Sequence, residues 1–273
     1  MSATTRRHWP DIAGQWARVG PPLRPVAGDI AFFAEAVALA PLPGKGALRT
    51  LILGVTPEIF VLAGSLGTDV VAVDHTQAMI DAVWPGPPGT AQLGEWTDLP
   101  LDAGSREVVF CDGGLHLLDH PAGQRALVEN LARVLAPGGL AVLRLFVPPP
   151  EPEPVATVID DLQAGRVADL NLLKLRLGMA LQADPATGVE LGRVWSEMAT
   201  ALPDPGRIGW DPDDLRGIDS YQDSPVRYHF VTVAEADRLF TVEPGGFERV
   251  SIRVPDYELG ERCPTVCFRR SPR

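Results

Sequence analysis

Cysteine is scarce: Cys111, Cys263 and Cys267 are the only three in 273 residues. They are too few and too far apart for a disulfide framework, so a reducing compartment and a cytoplasmic location are expected. No stretch approaches the ~20 apolar residues that cross a bilayer. The opening MSATTRRHWPDIAGQW turns to His, Pro and Asp where a secretory leader needs an apolar run. Neither export nor a membrane partner is therefore expected. Basic residues are in deficit as well, with 24 Lys and Arg against 35 Asp and Glu for a formal charge of -11. That balance repels phosphate backbones and anionic lipid and speaks against nucleic acid as a partner. The 27 glycines and 27 prolines stand at element ends without a repeating period, and a 45% apolar content is that of a folded globular chain.

Against these absences stands an alternation of apolar runs and helix-like stretches. The runs are LRTLILG (48–54), DVVAVD (69–74), the weaker TAQL (90–93), EVVFCD (107–112) and LAVLRLFV (140–147). Those rich in Val, Leu and Ile on both alternating faces read as parallel strands covered by helices on two sides. Thr56-Pro57-Glu58 signals a helix start, Thr76 precedes QAMIDAVW in the same way, and a helix from about Pro121 is expected to stop at Ala136-Pro137-Gly138-Gly139. PPPEPEP (148–154) then breaks regular structure. Residues 155–202 carry a helical apolar pattern, and 203–226, dense in Pro, Asp and Gly, read as a loop. Thr232 and Glu235 make a capping box, and FERVSIRV (247–254) with RCPTVCF (262–268) reads as an antiparallel hairpin. The expected fold is α/β: a doubly wound, mostly parallel seven-stranded sheet with an antiparallel C-terminal hairpin strand, N-terminal helices and a helical insertion. Its parts are an N-terminal cap (1–47), a core (48–147), an insertion or lid (148–226) and the rest of the core sheet (227–273).

Gly54 ends the first strand and Asp74, 20 residues on, ends the second. Ligands of doubly wound sheets bind beyond the carboxyl ends of the strands, where an acid on the second strand can accept both hydroxyls of a ribose. A pyrophosphate at the first turn would want G-x-G-x-x-G, whereas LGVTPE places the Thr56 side chain and the Glu58 charge there. An adenosine cofactor without phosphate, carrying a sulfonium and an ammonium, suits that acid better than a dinucleotide.

The ordered set LILGVTPE, VVAVDHTQAMI, GEWTDLPL, EVVFCDGGLHLL and LARVLAPGGLAVLRLFV resembles the class I S-adenosylmethionine-dependent methyltransferases. The later helix and the GFERVSIRV and CPTVCF strands are similar to the pair that closes such domains. The family's first turn resembles D-x-G-x-G-x-G. Here Ile52, Gly54, Thr56 and Glu58 hold its positions and only the first glycine survives. The resemblance implies that Gly54 and the turn through Thr56 face the methionyl part and that Glu58 either pairs with the cofactor ammonium or is a plain helix-start acid. It further implies that Asp74 holds the ribose, His75 lies against the adenine, Glu95 receives the adenine amino group and Trp96 follows at the ring. Cys111 and Asp112 fall where the methionyl group and reacting methyl lie, Cys111 more as a small filler than as a nucleophile.

His116, four residues beyond Asp112, is the candidate catalytic base, with a structural histidine as the other reading. His8, His229, Tyr221 and Tyr228 lie in segments able to cap the site. Cys263 and Cys267 lack a companion Cys or His pair, so no metal is expected. The expected activity is methyl transfer from S-adenosylmethionine to a small-molecule acceptor. Two alternatives stand beside it: a non-catalytic binding or scaffold module with an altered cofactor turn, and a nucleotide-dependent oxidoreductase. Acceptor identity and oligomeric state are not legible.

Overall fold

A computed structural model describes residues 9–40, 46–202 and 208–272. His8 and residue ranges 41–45 and 203–207 lie outside the described residues. The chain opens with α1 (Trp9–Gly14) and a 3-10 turn (Trp16–Arg18). It continues through α2 (Ala27–Val37) into β1 (Arg49–Leu53), α3 (Pro57–Ser65), β2 (Asp69–Asp74), α4 (Gln77–Val83) and β3 (Ala91–Leu93). Then follow β4 (Arg106–Asp112), α5 (Ala122–Val134) and β5 (Leu135–Arg144).

The insertion holds α6 (Val155–Gln163), α7 (Leu170–Leu181), β6 (Val189–Glu190), α8 (Leu191–Ala201) and α9 (Pro212–Leu215). A 3-10 turn (Arg216–Tyr221) follows α9, and β7 (Arg227–Tyr228), α10 (Val233–Thr241), β8 (Phe247–Arg253) and β9 (Thr265–Arg270) complete the chain.

The main sheet has seven strands in the order β3-β2-β1-β4-β5-β9-β8. Every neighbouring pair from β3 to β5 is parallel, and β9 runs antiparallel to both β5 and β8. The two-residue alternation of the strands sorts the core into two layers. Leu51, Leu53, Val109, Ala141 and Leu143 pack with Leu127 and Leu131 of α5 and Leu239 and Phe240 of α10. Ile52, Val108, Phe110 and Val142 pack on the other face with Phe33 of α2 and Ile59 of α3. Emptying one such fully buried Leu to Ala costs ~2–5 kcal/mol. The insertion has a core of its own, in which Val158, Leu173, Leu177, Val194 and Phe230 meet.

A half-buried ion cluster joins that insertion to the C-terminal segment: Glu153 accepts from Arg176 at 2.5 Å and from Arg262 at 2.9 Å. The capping box at Thr232 is present, with Oγ1 accepting from Glu235 N at 3.2 Å and the Glu235 carboxylate accepting from Thr232 N at 2.7 Å.

The structure corrects several boundaries. Strand five begins at Leu135 directly after α5 and ends at Arg144, instead of spanning 140–147 after a glycine cap. Leu135 pairs with Arg106, the register then shifts, and Leu140 pairs with Val108. Gly139 is needed in that irregular stretch, since a Cβ there would lie 2.9 Å from both Ala136 O and Glu107 O. Part of 203–226 is helical rather than loop, because Asp211 caps α9 and Tyr221 is buried in the insertion core. The short β6–β7 ladder has no counterpart in the sequence reading. Among the described residues no helix is long and apolar enough to cross a membrane.

Candidate functional site

A cavity of about 350 Å³ opens across the carboxyl ends of β1, β2 and β4 and runs under the cap and insertion. Gly54 closes β1 with φ +89, a left-handed conformation that favours glycine. Its N–H donates to Val73 O at 2.8 Å, and a Cβ at this position would stand 3.8 Å from Asp74 Oδ2. The bare backbone therefore leaves space directly against that carboxylate. Asp74 Oδ1 accepts from Thr76 N at 2.8 Å. Burial pushes its carboxyl up to about 6, the Thr76 hydrogen bond opposes the rise, and the Glu95 charge adds to it. Trp96 lies beside them with Nε1 donating to Val73 O at 2.8 Å.

Asp112 ends β4, where its Oδ1 accepts from Arg144 Nε at 2.5 Å. Arg144 is fully buried and also donates to Pro22 O at 2.8 Å, while its Nη1 lies 3.5 Å from Asp29 Oδ2. Burial works against that guanidinium charge, and Asp112 with Asp29 outweighs it and holds the charge in place. Tyr257 OH closes the network on Asp29 Oδ1 at 3.2 Å.

His116 sits in the 3-10 turn Leu115–Leu117 within an aromatic box. Its ring stacks on Phe230 at 5.0 Å between centroids and meets Tyr228 edge-on at 4.8 Å and Phe146 at 5.2 Å. Burial, with a contribution from His229, pushes its pKa down to about 3, so the ring is neutral at physiological pH. Its Nδ1 is buried without a hydrogen-bond partner.

The roof is built from the N-terminal segment and the insertion. Trp9 of α1 meets His75 edge-on at 5.9 Å. Arg18 pairs with Asp213 and Asp214 of α9, each at 3.1 Å. Arg24 Nε lies 2.5 Å from Glu58 Oε1, and its guanidinium sits 5.5 Å over the Trp16 ring.

Of the residues expected at the site, Gly54, Thr56, Asp74, His75, Trp96, Asp112 and His116 line this cavity. Glu58, Glu95 and Cys111 do not. Glu58 is engaged by Arg24. Glu95 forms an antiparallel bridge with Asp98 outside the lining. Cys111 lies buried beneath the floor, its Sγ 2.5 Å from where a Gly114 Cβ would stand, and burial raises its thiol to about 12.

Tyr221 and Tyr228 line the cavity, whereas His229 Nδ1 meets Pro185 O at 2.8 Å away from the lining. Cys263 and Cys267 are buried thiols, each pushed up to about 12 by burial. Among the described residues no three His, Cys, Asp or Glu side chains are grouped to hold a metal ion. Sequence reasoning missed Arg144, Arg18 and Lys174; the signal for Lys174 was a lysine set in the apolar helix LNLLKLRLGMAL.

Residues 54–143 match a family model described as a methyltransferase domain. No curated protein matches the chain in sequence. In fold it is similar to a Rhodobacter sphaeroides protein described as a zinc-dependent alcohol dehydrogenase, at 16% identity and TM-score 0.67 over 99% of this chain and all of that one. It is also similar to the CcbJ methyltransferase of Streptomyces caelestis, at 18% identity and TM-score 0.56 over 98% of both chains. A third similar structure is a Haloferax volcanii complex of a methyltransferase activator with a protein described as a methyltransferase. There the identity is 12% and the TM-score 0.55, over 98% of this chain and 99% of that one. At these identities the likeness is one of fold.

Proposed function

We propose that the chain, whose residues 54–143 match a methyltransferase domain and whose seven-stranded sheet is that of the class I methyltransferase fold, transfers a methyl group from S-adenosylmethionine to a small molecule. The single observation that carries this reading is the open space between Gly54 and the buried carboxylate of Asp74 at the ends of β1 and β2. A ligand with vicinal hydroxyls would supply the donors that Asp74 Oδ2 faces and would stabilise the ionised form of the carboxylate against its burial. The turn after Gly54 suits a phosphate poorly: Pro57 opens α3 and removes one N–H that an anion would need.

In this reading Asp74 holds the ribose, with His75 and Trp96 beside the adenine. Gly54, Thr56 and Asp112 border the methionyl part, and Arg144 fixes the Asp112 carboxylate. The bound cofactor supplies an electrophilic methyl on a sulfonium sulfur. The chain's own task is to exclude water and to hold the acceptor for in-line attack. Trp9, Trp16 and the insertion form a roof that suits a small acceptor better than a polymer. His116 is the acceptor's base only once methylation has made its proton strongly acidic, because its ring resists protonation down to about 3. That property favours a hydroxyl or phenol acceptor over an amine. The three buried free thiols suit a reducing compartment and support a cytoplasmic location.

The test is incubation of the purified protein with methyl-labelled S-adenosylmethionine and a small-molecule extract. Labelled small-molecule product supports the reading. Cofactor binding without any transfer would favour a non-catalytic binding module instead.

A further inference from the structure

Lys174 of α7 lines the same cavity where the insertion walls it. Its Nζ donates to Gly217 O at 2.5 Å and stands 5.0 Å over the Tyr221 ring. Gly217, Ser220 and Tyr221 all belong to one 3-10 turn, so the ammonium spans that turn. An ammonium has three donors, and the Gly217 carbonyl takes one. Among the described residues no carboxylate compensates Lys174; its pKa falls to about 8 through burial alone.

Of the acidic groups that share the cavity wall, Asp74 stands beside Gly54 at the end of β2, and the others are engaged elsewhere or exposed. Asp169 Oδ1 caps α7 through Asn171 N at 2.7 Å and Leu172 N at 2.9 Å. Asp214 pairs with Arg18, Asp112 with Arg144, and Asp11 is exposed. Ser220 Oγ, on the same turn, is buried without a hydrogen-bond partner. Between this polar end and Asp112 runs a continuous aromatic wall. Tyr221 meets Tyr228 at 6.4 Å, Tyr228 meets His116 at 4.8 Å, and His116 meets Phe146 at 5.2 Å.

We propose that Lys174 and Ser220 form an anion-binding subsite at the insertion end of the cavity, and that the methyl acceptor is a small aromatic molecule bearing a carboxylate. A carboxylate would neutralise the Lys174 ammonium and accept from the Ser220 hydroxyl, while its ring lay along Tyr221, Tyr228 and His116. A single negative charge matches the Lys174 ammonium, since Arg18 of the same wall is paired with Asp213 and Asp214. The proposal deepens the cofactor reading above and rests on it.

Calorimetry on the full chain saturated with S-adenosylhomocysteine tests it, with para-hydroxybenzoate and para-coumarate as probes beside their uncharged amides. The expected result is that at least one acid binds about tenfold or more tighter than its amide, as a charge-assisted contact in a closed site implies. Lys174→Met should reduce that preference to within about twofold while S-adenosylhomocysteine affinity stays unchanged. Ser220→Ala should lower it about threefold, and Lys174→Arg should retain most of it, which keeps the test decisive if the methionine variant fails to fold. Equal binding of acids and amides, no binding of either acid, or an undiminished preference in Lys174→Met would overturn the subsite. Failure of the unmodified protein to bind S-adenosylhomocysteine would instead overturn the cofactor reading, and the subsite with it.

Discussion

Arg24 Nε lies 2.5 Å from Glu58 Oε1, so the acid in the first turn of α3 is held by the N-terminal cap and stands outside the cavity lining. The pair offsets the Glu58 charge near the turn after β1 and ties Arg24 of the N-terminal segment to α3. Glu58→Gln should therefore weaken S-adenosylhomocysteine and methylthioadenosine, which lacks the ammonium, by the same factor. Calorimetry with both ligands checks this. A loss confined to S-adenosylhomocysteine would show that Glu58 reaches the ammonium after all. The effect on stability should stay within ~1 kcal/mol, since both side chains are partly exposed.

Arg144 lies buried between Asp112 and Asp29. Replacing it by methionine leaves two carboxylates without their cation in the interior, a defect that costs ~3–5 kcal/mol. Urea unfolding of Arg144→Met should show a loss of that order together with weakened cofactor binding. A loss below about 1 kcal/mol would mean that the network is solvated in solution.

Asp74 gives a stability signature with a defined sign. Burial raises its folded carboxyl to about 6, against ~3.9 in an unfolded chain. Between those values the native state binds more protons than the unfolded one, so stability falls as pH rises through this window. Above it the ionised carboxylate costs on the order of 2–3 kcal/mol. Asn keeps an acceptor for Thr76 N and carries no charge. Ligand-free Asp74→Asn should thus be more stable than the parent at pH 7 to about that extent, with the gap closing below about pH 4. Urea unfolding across pH checks it, and a variant less stable at neutral pH would contradict the assigned burial cost.

Much of the architecture was legible in the sequence, and the residues show why. Val, Leu and Ile on both faces of DVVAVD and EVVFCD mark strands buried from two sides, and Thr232 with Glu235 carries its helix start within four residues. The acid ending β2 and the glycine ending β1 were readable from topology alone, and the structure places them across one crevice. What escaped depends on distant partners. Glu58 was assigned from its helix position, but its partner Arg24 comes from a separate part of the chain. The helical turns between 212 and 221 are stabilised by Arg18 and by the buried Tyr221, against a local composition of Pro, Asp and Gly. Cys111 and Glu95 lie outside the cavity lining, Cys111 with its side chain buried against Gly114, a side-chain placement that position along the strand alone does not give.

The most direct measurement is calorimetric titration of S-adenosylhomocysteine into the parent protein and into Asp74→Asn at neutral pH. Loss of charge-assisted hydrogen bonds to a ribose, at ~1.5–3 kcal/mol each, predicts micromolar binding by the parent and a decrease of more than about tenfold in the variant, although that variant is the more stable of the two. Equal affinity in both proteins, or no heat with the parent, would contradict the account.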